Sequence, residues 1–297
     1  MKIRRKRRTR TRTRIAILIQ GLGEAIKSRC ITFLLLLMFI SISPSAHSQC
    51  EANNDAFQSG EHVMYDLYFN WKFIWTKAGL ASLTTNAMHY GVKPAYRINL
   101  LAFGSKTADF FFKMRDTLTC IVGDHMQPYY FRKGAEEGGK YTVDEVSFSY
   151  KNGVSYAKQK RIKNNGNPKF SSAEDSRCMY DMLSILAQAR SFDPADYKVG
   201  QHIKFQMATG LKIEEQTLIY RGKQVTEVQN DVKYRTLVFS LVEYKKGKEK
   251  EVITFYITDD KNHLPVRLDL FLNFGSAKAF LKSVKNNKHP LTSIVTG

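Results

Sequence analysis

The residues able to do chemistry are scattered along the chain. Few of them fall at the spacings that make a local site. His62, His89, His125, His202, His263 and His289 include no i, i+4 pair, and no two lie close enough for a local zinc motif. The densest polar cluster is Asp259-Asp260-Lys261-Asn262-His263. Its carboxylates suit calcium ligation or an acid/base pair. It lacks the spacing and closing Glu of an EF-hand loop, and Asp and Asn between Ile257 and Leu264 predict a solvated hairpin instead. Arg132–Lys140 is charged and glycine-rich and could meet an anion. Between Tyr129–Phe131 and Tyr141–Val143 it reads as a flexible hairpin loop. Residues 49–297 contain no G-x-G-x-x-G, P-loop, H-E-x-x-H or G-x-S-x-G. No metal or other cofactor is therefore expected, and the balance lies against an enzyme.

Aromatic residues are the other candidates. Trp71, Phe73 and Trp75 alternate onto one strand face, while Phe110–Phe112 and Tyr129–Phe131 form blocks. Such side chains can line an apolar pocket, but core packing is the expected role. For Trp75 that predicts a loss of about 3–5 kcal/mol on truncation to Ala. Asp181 and Arg190 lie nine residues apart, so on one helix they face different sides. Asp181 is expected in the first turn, at the positive end of the dipole.

The amino terminus sets the compartment in which any chemistry would occur. A basic run, Met1–Arg14, precedes the apolar, uncharged stretch Ile31–Ile42; Ala46 and Ser48 then stand at the small positions of a signal-peptidase site. This predicts a secretory signal over residues 1–48, cut between Ser48 and Gln49. About a dozen apolar residues are too few for a retained spanning helix. His47 and Gln49 do not fit a lipobox ahead of Cys50, and a nucleic-acid arm would not run straight into an apolar stretch. Of 46 Lys/Arg and 27 Asp/Glu, 11 and one fall in residues 1–48; the 35 and 26 that remain give the mature chain +9. Export permits a disulfide. Cys50, Cys120 and Cys178 are an odd set, and their spacing does not choose a pair.

Period-two alternation dominates residues 49–297 and calls for strands. Val63, Tyr65, Leu67 and Phe69 share one face, as do Leu264, Val266, Leu268, Leu270, Leu272 and Phe274, with Pro265 at a strand start or edge. Asn152-Gly153 predicts a type I′ hairpin turn; Thr209-Gly210 and Gly222-Lys223 read similarly. One helix interrupts, capped by Ser176 or Asp175 and ending near Arg190, with Met179, Met182, Leu183 and Leu186 as its apolar stripe.

Three segments in order carry a family resemblance: Gly60–Asp66 running on to Lys77–Leu83; Tyr180–Leu186 with Arg190; and Thr258–Asp260 to Leu264–Val266, followed by Gly275–Leu281. Together they resemble the bacterial exported family labelled domain of unknown function 3108, over most of Phe57–Leu281. The resemblance implies an exported, β-rich envelope protein and brings no catalytic residues.

The sequence is thus read as mainly β. It predicts an antiparallel curved sheet or sandwich with one central helix over about 176–190, in a single domain, 49–297, within which two sheet lobes (57–162 and 200–284) can be drawn. The expected function is non-enzymatic binding, in the periplasm or envelope, of an apolar or amphipathic ligand or an envelope partner, with peripheral membrane contact allowed and nucleic acid not. The alternative is an enzyme acting on envelope glycans through carboxylates from separate strands.

Overall fold

In the computed structural model, residues 50, 52–71, 74–109, 113–229, 231–245, 247–272 and 275–295 are described. The signal segment, the Ser48/Gln49 cleavage position, Phe73 and Phe110–Phe112 lie outside them.

The alternating segments form sixteen strands. The first arm is β1 (Glu61–Trp71), β2 (Ile74–Tyr90), β3 (Lys93–Gly104), β4 (Met114–Gly123), β5 (Pro128–Glu137), β6 (Lys140–Lys151), β7 (Val154–Lys163) and β8 (Lys169–Asp175). After β9 (Met179–Tyr180) and a helix, Met182–Ala189, the second arm is β10 (His202–Ala208), β11 (Ile213–Glu227), β12 (Lys233–Lys245), β13 (Lys248–Thr258), β14 (Pro265–Leu272) and β15 (Gly275–Lys285), with β16 (Ile294–Val295) at the end. All belong to one sheet, ordered β8 through β1, then β15 down to β9, with β16 on β12. Neighbours pair antiparallel except β9, which runs parallel to β10. Because β1 pairs with β2 on one side and β15 on the other, the two arms are continuous. One curved sheet results, and the sandwich alternative is not what forms.

The sheet curls until its two edge strands, β8 and β9, are separated by only Ser176–Cys178. Side chains cross this seam. Arg161 donates to Thr209 O (3.5 Å), and Ser171 Oγ to Leu211 O (2.9 Å). Arg177 joins Asp175 to Glu215. Gly210, in the turn between β10 and β11, has φ +100°, and a Cβ there would stand 1.8 Å from the Arg161 guanidinium. That φ favours glycine, and a larger residue would displace the Arg161 guanidinium from its crossing. Cys50 pairs with Cys178 across 128 residues, whereas Cys120 stays free and buried.

The helix is shorter than the sequence pattern suggests. Asp175 pairs with Ser155 at the end of β8, and Met179–Tyr180 pair with Gln206–Met207, so both are extended. The N-cap is Asp181, in place of Ser176 or Asp175. Its Oδ1 accepts from the N–H groups of Leu183 and Ser184 (2.9 and 3.0 Å), while Ser184 Oγ accepts from Asp181 N–H. Strand pairing outcompetes one more helical turn here because the preceding apolar residues already have a sheet partner. Leu183 and Ala187 pack with Val63, Tyr65, Leu83, Leu118, Cys120 and Val266 on the inner face, but Met182 is exposed. A second cluster sets the Cys50–Cys178 pair beside Tyr180, Phe205, Leu218, Tyr220 and Phe239.

Other local readings divide. Asn152 and Gly153 both have positive φ, as a type I′ turn needs. Gly222 lies inside β11 at a register shift, a bulge rather than a hairpin. Arg132–Glu137 are strand, which leaves Gly138-Gly139 as the turn in place of the expected long loop.

Candidate functional site

The first place to look is where the three sequence segments meet. Arg190, at the helix C-terminus, is 2% exposed, and Glu61, at the start of β1, is 1% exposed. Arg190 donates to both Glu61 oxygens (2.5 and 2.9 Å) and to the backbone oxygens of Asn262 (3.0 and 3.1 Å) and Ala56 (3.3 Å). Its guanidinium lies 5.1 Å from the Phe57 ring centroid. The Arg190 carbonyl lies 2.6 Å from His263 Nδ1.

The Asp259–His263 segment is therefore not a solvated hairpin. Asn262 is fully buried. It donates to His289 O and Pro290 O and accepts from His289 N–H. Asp260 accepts from Thr258 Oγ1, Asn262 N–H and Ser293 Oγ. The local composition signals a turn correctly, but it cannot show that the carboxy-terminal residues cover that turn. With its donors and acceptors matched this way, the hub is a structural joint. Asp181 and Arg190 occupy opposite ends of the short helix, the first as a cap and the second as the joint.

The inner face supplies the second set of candidates. Directly opposed residues share a face, so one row runs Val63, Leu83, Leu100, Leu118, Lys133, Asp144, Arg161. It passes from apolar on β1–β4 to charged on β5–β7, where Arg161 and Asp144 pair at 2.5 Å. On the same face Asp116 is pushed up to about 6, chiefly by burial and against the pull of Lys133, with the Glu137 charge adding to the rise. Asp181 is also raised to about 6 by burial, which outweighs the helix N–H groups it accepts. Burial likewise holds the Cys120 thiol well above its ordinary range, with Asp181 nearby. Among the described residues, no group of three His, Cys, Asp or Glu is arranged to hold a metal ion. Two open hollows lie at the surface, of about 250 Å³ beside Met88, Pro94 and Tyr96 and about 410 Å³ beside Lys204, Glu215 and Tyr244.

The third candidate is on the outer face of β3, β2, β1, β15 and β14. Trp75 belongs here, contrary to its expected place in a core. It is 40% exposed, and Leu80, Phe103 and Phe271 range from 37% to 44%. The register places Leu80 opposite Phe103, Trp75 opposite Asn70, and Ser276 between Asn70 and Phe271. Cations interleave with the rings. Lys278 Nζ sits 4.5 Å from the Trp75 ring centroid, and Arg267 lies 4.8 and 5.6 Å from Tyr256 and Phe280. Tyr68 meets Phe280 edge-on at 5.7 Å. Lys77 and Lys282 flank Asp66 at 2.8 and 3.8 Å, and Arg267 binds Asp269. Gly79 holds this region tight: a Cβ there would stand 2.0 Å from Phe103 O. Trp71 ends β1 and Trp75 lies in β2, so the expected single strand through Trp71 and Trp75 is instead the turn of a hairpin, and the face on which Trp75 stands turns outward. The Lys and Arg at alternate positions beside these aromatics were the available signal.

These features define a nearly closed, barrel-like β-sheet protein with a helix on its inner face. The same architecture appears in the crystal structure of a beta-barrel-like protein of domain of unknown function DUF1849 from Brucella abortus, with TM-score 0.51 and 11% identity over 78% of this chain and 99% of that one. At that identity the likeness is one of fold. The family model described as protein of unknown function (DUF3108) matches residues 64–282, and the chain belongs to that family. No curated protein matches.

Proposed function

We propose that this is an exported, non-catalytic envelope protein. Its outer aromatic and cationic face binds an apolar or amphipathic ligand or an envelope partner. One observation carries this reading: on adjacent strands Trp75, Leu80, Phe103 and Phe271 stay substantially exposed beside Lys278 and Arg267. Exposed apolar groups gathered on one face mark interaction surfaces. The Cys50–Cys178 bond fits an oxidising compartment. It also occupies the thiol that a lipid anchor would need.

The glycan-hydrolase alternative needs two carboxyl groups held about 5–10 Å apart across the scissile bond. Asp116 and Glu137 come from neighbouring strands, and Glu137 helps to push the Asp116 carboxyl up, but neither lines the two hollows described above.

Native mass spectrometry of protein purified from its own envelope tests the binding reading. An amphipathic species should accompany the wild type and be depleted from a Leu80→Ser/Phe103→Ser variant. Wild type that carries nothing, and binds nothing when envelope extract is returned to it, would overturn the reading. N-terminal sequencing should find Gln49 first; an intact Met1 on exported protein would refute the cleavage expectation.

A further inference from the structure

We infer that the outer face of β3-β2-β1-β15-β14 docks onto an anionic phospholipid bilayer surface. This inference rests on the binding reading above and names the occupant.

Charge and geometry select that occupant. Among the described residues around Trp75 and Phe280 on this face, Lys77, Lys278, Lys282 and Arg267 stand against Asp66 and Asp269, a local surplus of two positive charges. The mature chain as a whole carries +9. Aromatic rings with cationic side chains alongside suit the headgroup region, where the rings enter the acyl boundary and the ammonium groups remain at the phosphates. The Lys278 ammonium, 4.5 Å from the Trp75 ring centroid, already presents both parts together. Each Lys or Arg near an anionic surface adds attraction that salt weakens. A groove for one small molecule would instead enclose its ligand, and neither of the two hollows described above adjoins these residues.

The test mixes the exported, purified protein with vesicles of phosphatidylcholine alone and of phosphatidylcholine with phosphatidylglycerol, read by co-sedimentation. Binding to the mixed vesicles should exceed binding to the neutral ones by about tenfold or more and should fall with salt. The chain has two tryptophans, and their emission should shift to the blue on the mixed vesicles. Lys278→Gln/Lys282→Gln should weaken binding by about tenfold and flatten its salt dependence. Phe103→Ser/Phe271→Ser should weaken it at every salt concentration. Lys282, Phe103 and Phe271 are exposed and Lys278 is half-buried, and an unchanged urea midpoint will show that both variants fold.

Equal binding to both vesicles, or variants that bind like wild type, would overturn the inference. So would self-association in place of vesicle binding, abolished by Phe103→Ser/Phe271→Ser, because a second copy would then be the occupant. If vesicles fail while an amphipathic species still accompanies the purified wild type, docking falls and the binding reading stands. If both fail, both fall.

Discussion

The Arg190 hub and the outer aromatic face use the same chemistry with opposite outcomes. Each places a guanidinium against an aromatic ring and a carboxylate: Arg190 with Phe57 and Glu61, Arg267 with Phe280 and Asp269. In the hub, water is excluded and donors meet acceptors from four separate stretches of chain. Nothing remains for a ligand, and the cost of desolvation makes the set cooperative. On the outer face the rings keep an open side and the cations remain partly hydrated. The residue types are shared, so it is the surroundings that separate a joint from a surface. The segments that carry the family resemblance contribute to both: Glu61, Arg190 and Asp260 to the joint, and Lys77, Leu80, Lys278 and Phe280 to the outer face.

The largest expected effect is at the hub. Arg190→Met leaves Glu61 buried without its partner and should cost about 3–5 kcal/mol in urea unfolding. A cost below about 1 kcal/mol would place the pair in water and dissolve the contrast. Next comes the seam. Cys50→Ser/Cys178→Ser opens the 128-residue link and should cost about 2–5 kcal/mol, with reduction of the wild type giving the same loss. If reduction left the unfolding curve unchanged, the side-chain contacts of Arg161, Ser171 and Arg177 would suffice to hold the curl.

A third effect is set by pH. Burial raises the folded-state pKa of Asp181 from 3.8 to about 6, above its unfolded value. Its contribution is therefore fully present below about pH 4 and is lost as the pH rises through 6, an effect of about 2–3 kcal/mol at most. Asn can still cap the helix, so the stability of Asp181→Asn minus that of the wild type should rise between pH 4 and 7. A flat difference would mean that the carboxyl reaches water. The smallest effect is at Trp75. Trp75→Ala should cost about 1 kcal/mol or less, because the ring is 40% exposed. A loss of 3 kcal/mol or more would return it to a core and remove the outer face as a site.

Much of the first arm was legible from local pattern. Asn152-Gly153 dictates its own turn, and Val63, Tyr65 and Leu67 alternate because a half-buried strand must. The helix start was not legible. Met179 continues a helical stripe as readily as it pairs in a strand, and only the presence of β10 decides between them. The hub escaped for a related reason. Glu61, Arg190 and Asn262 each look like ordinary surface residues, and each becomes buried only when segments 129 and 72 residues apart close on one another.

The sequence by itself determined the strand-rich class, the Asn152-Gly153 turn and the family, since these depend on short-range sterics, hydrophobic period and short motifs. Tertiary structure alone decided that Cys50 pairs with Cys178 while Cys120 stays buried, that a charged turn becomes an internal joint, and that Trp75 faces outward. Each of those depends on which distant strand lies alongside and which way the sheet curls. Alternation shows that a strand has two faces; the curl determines which of them meets water.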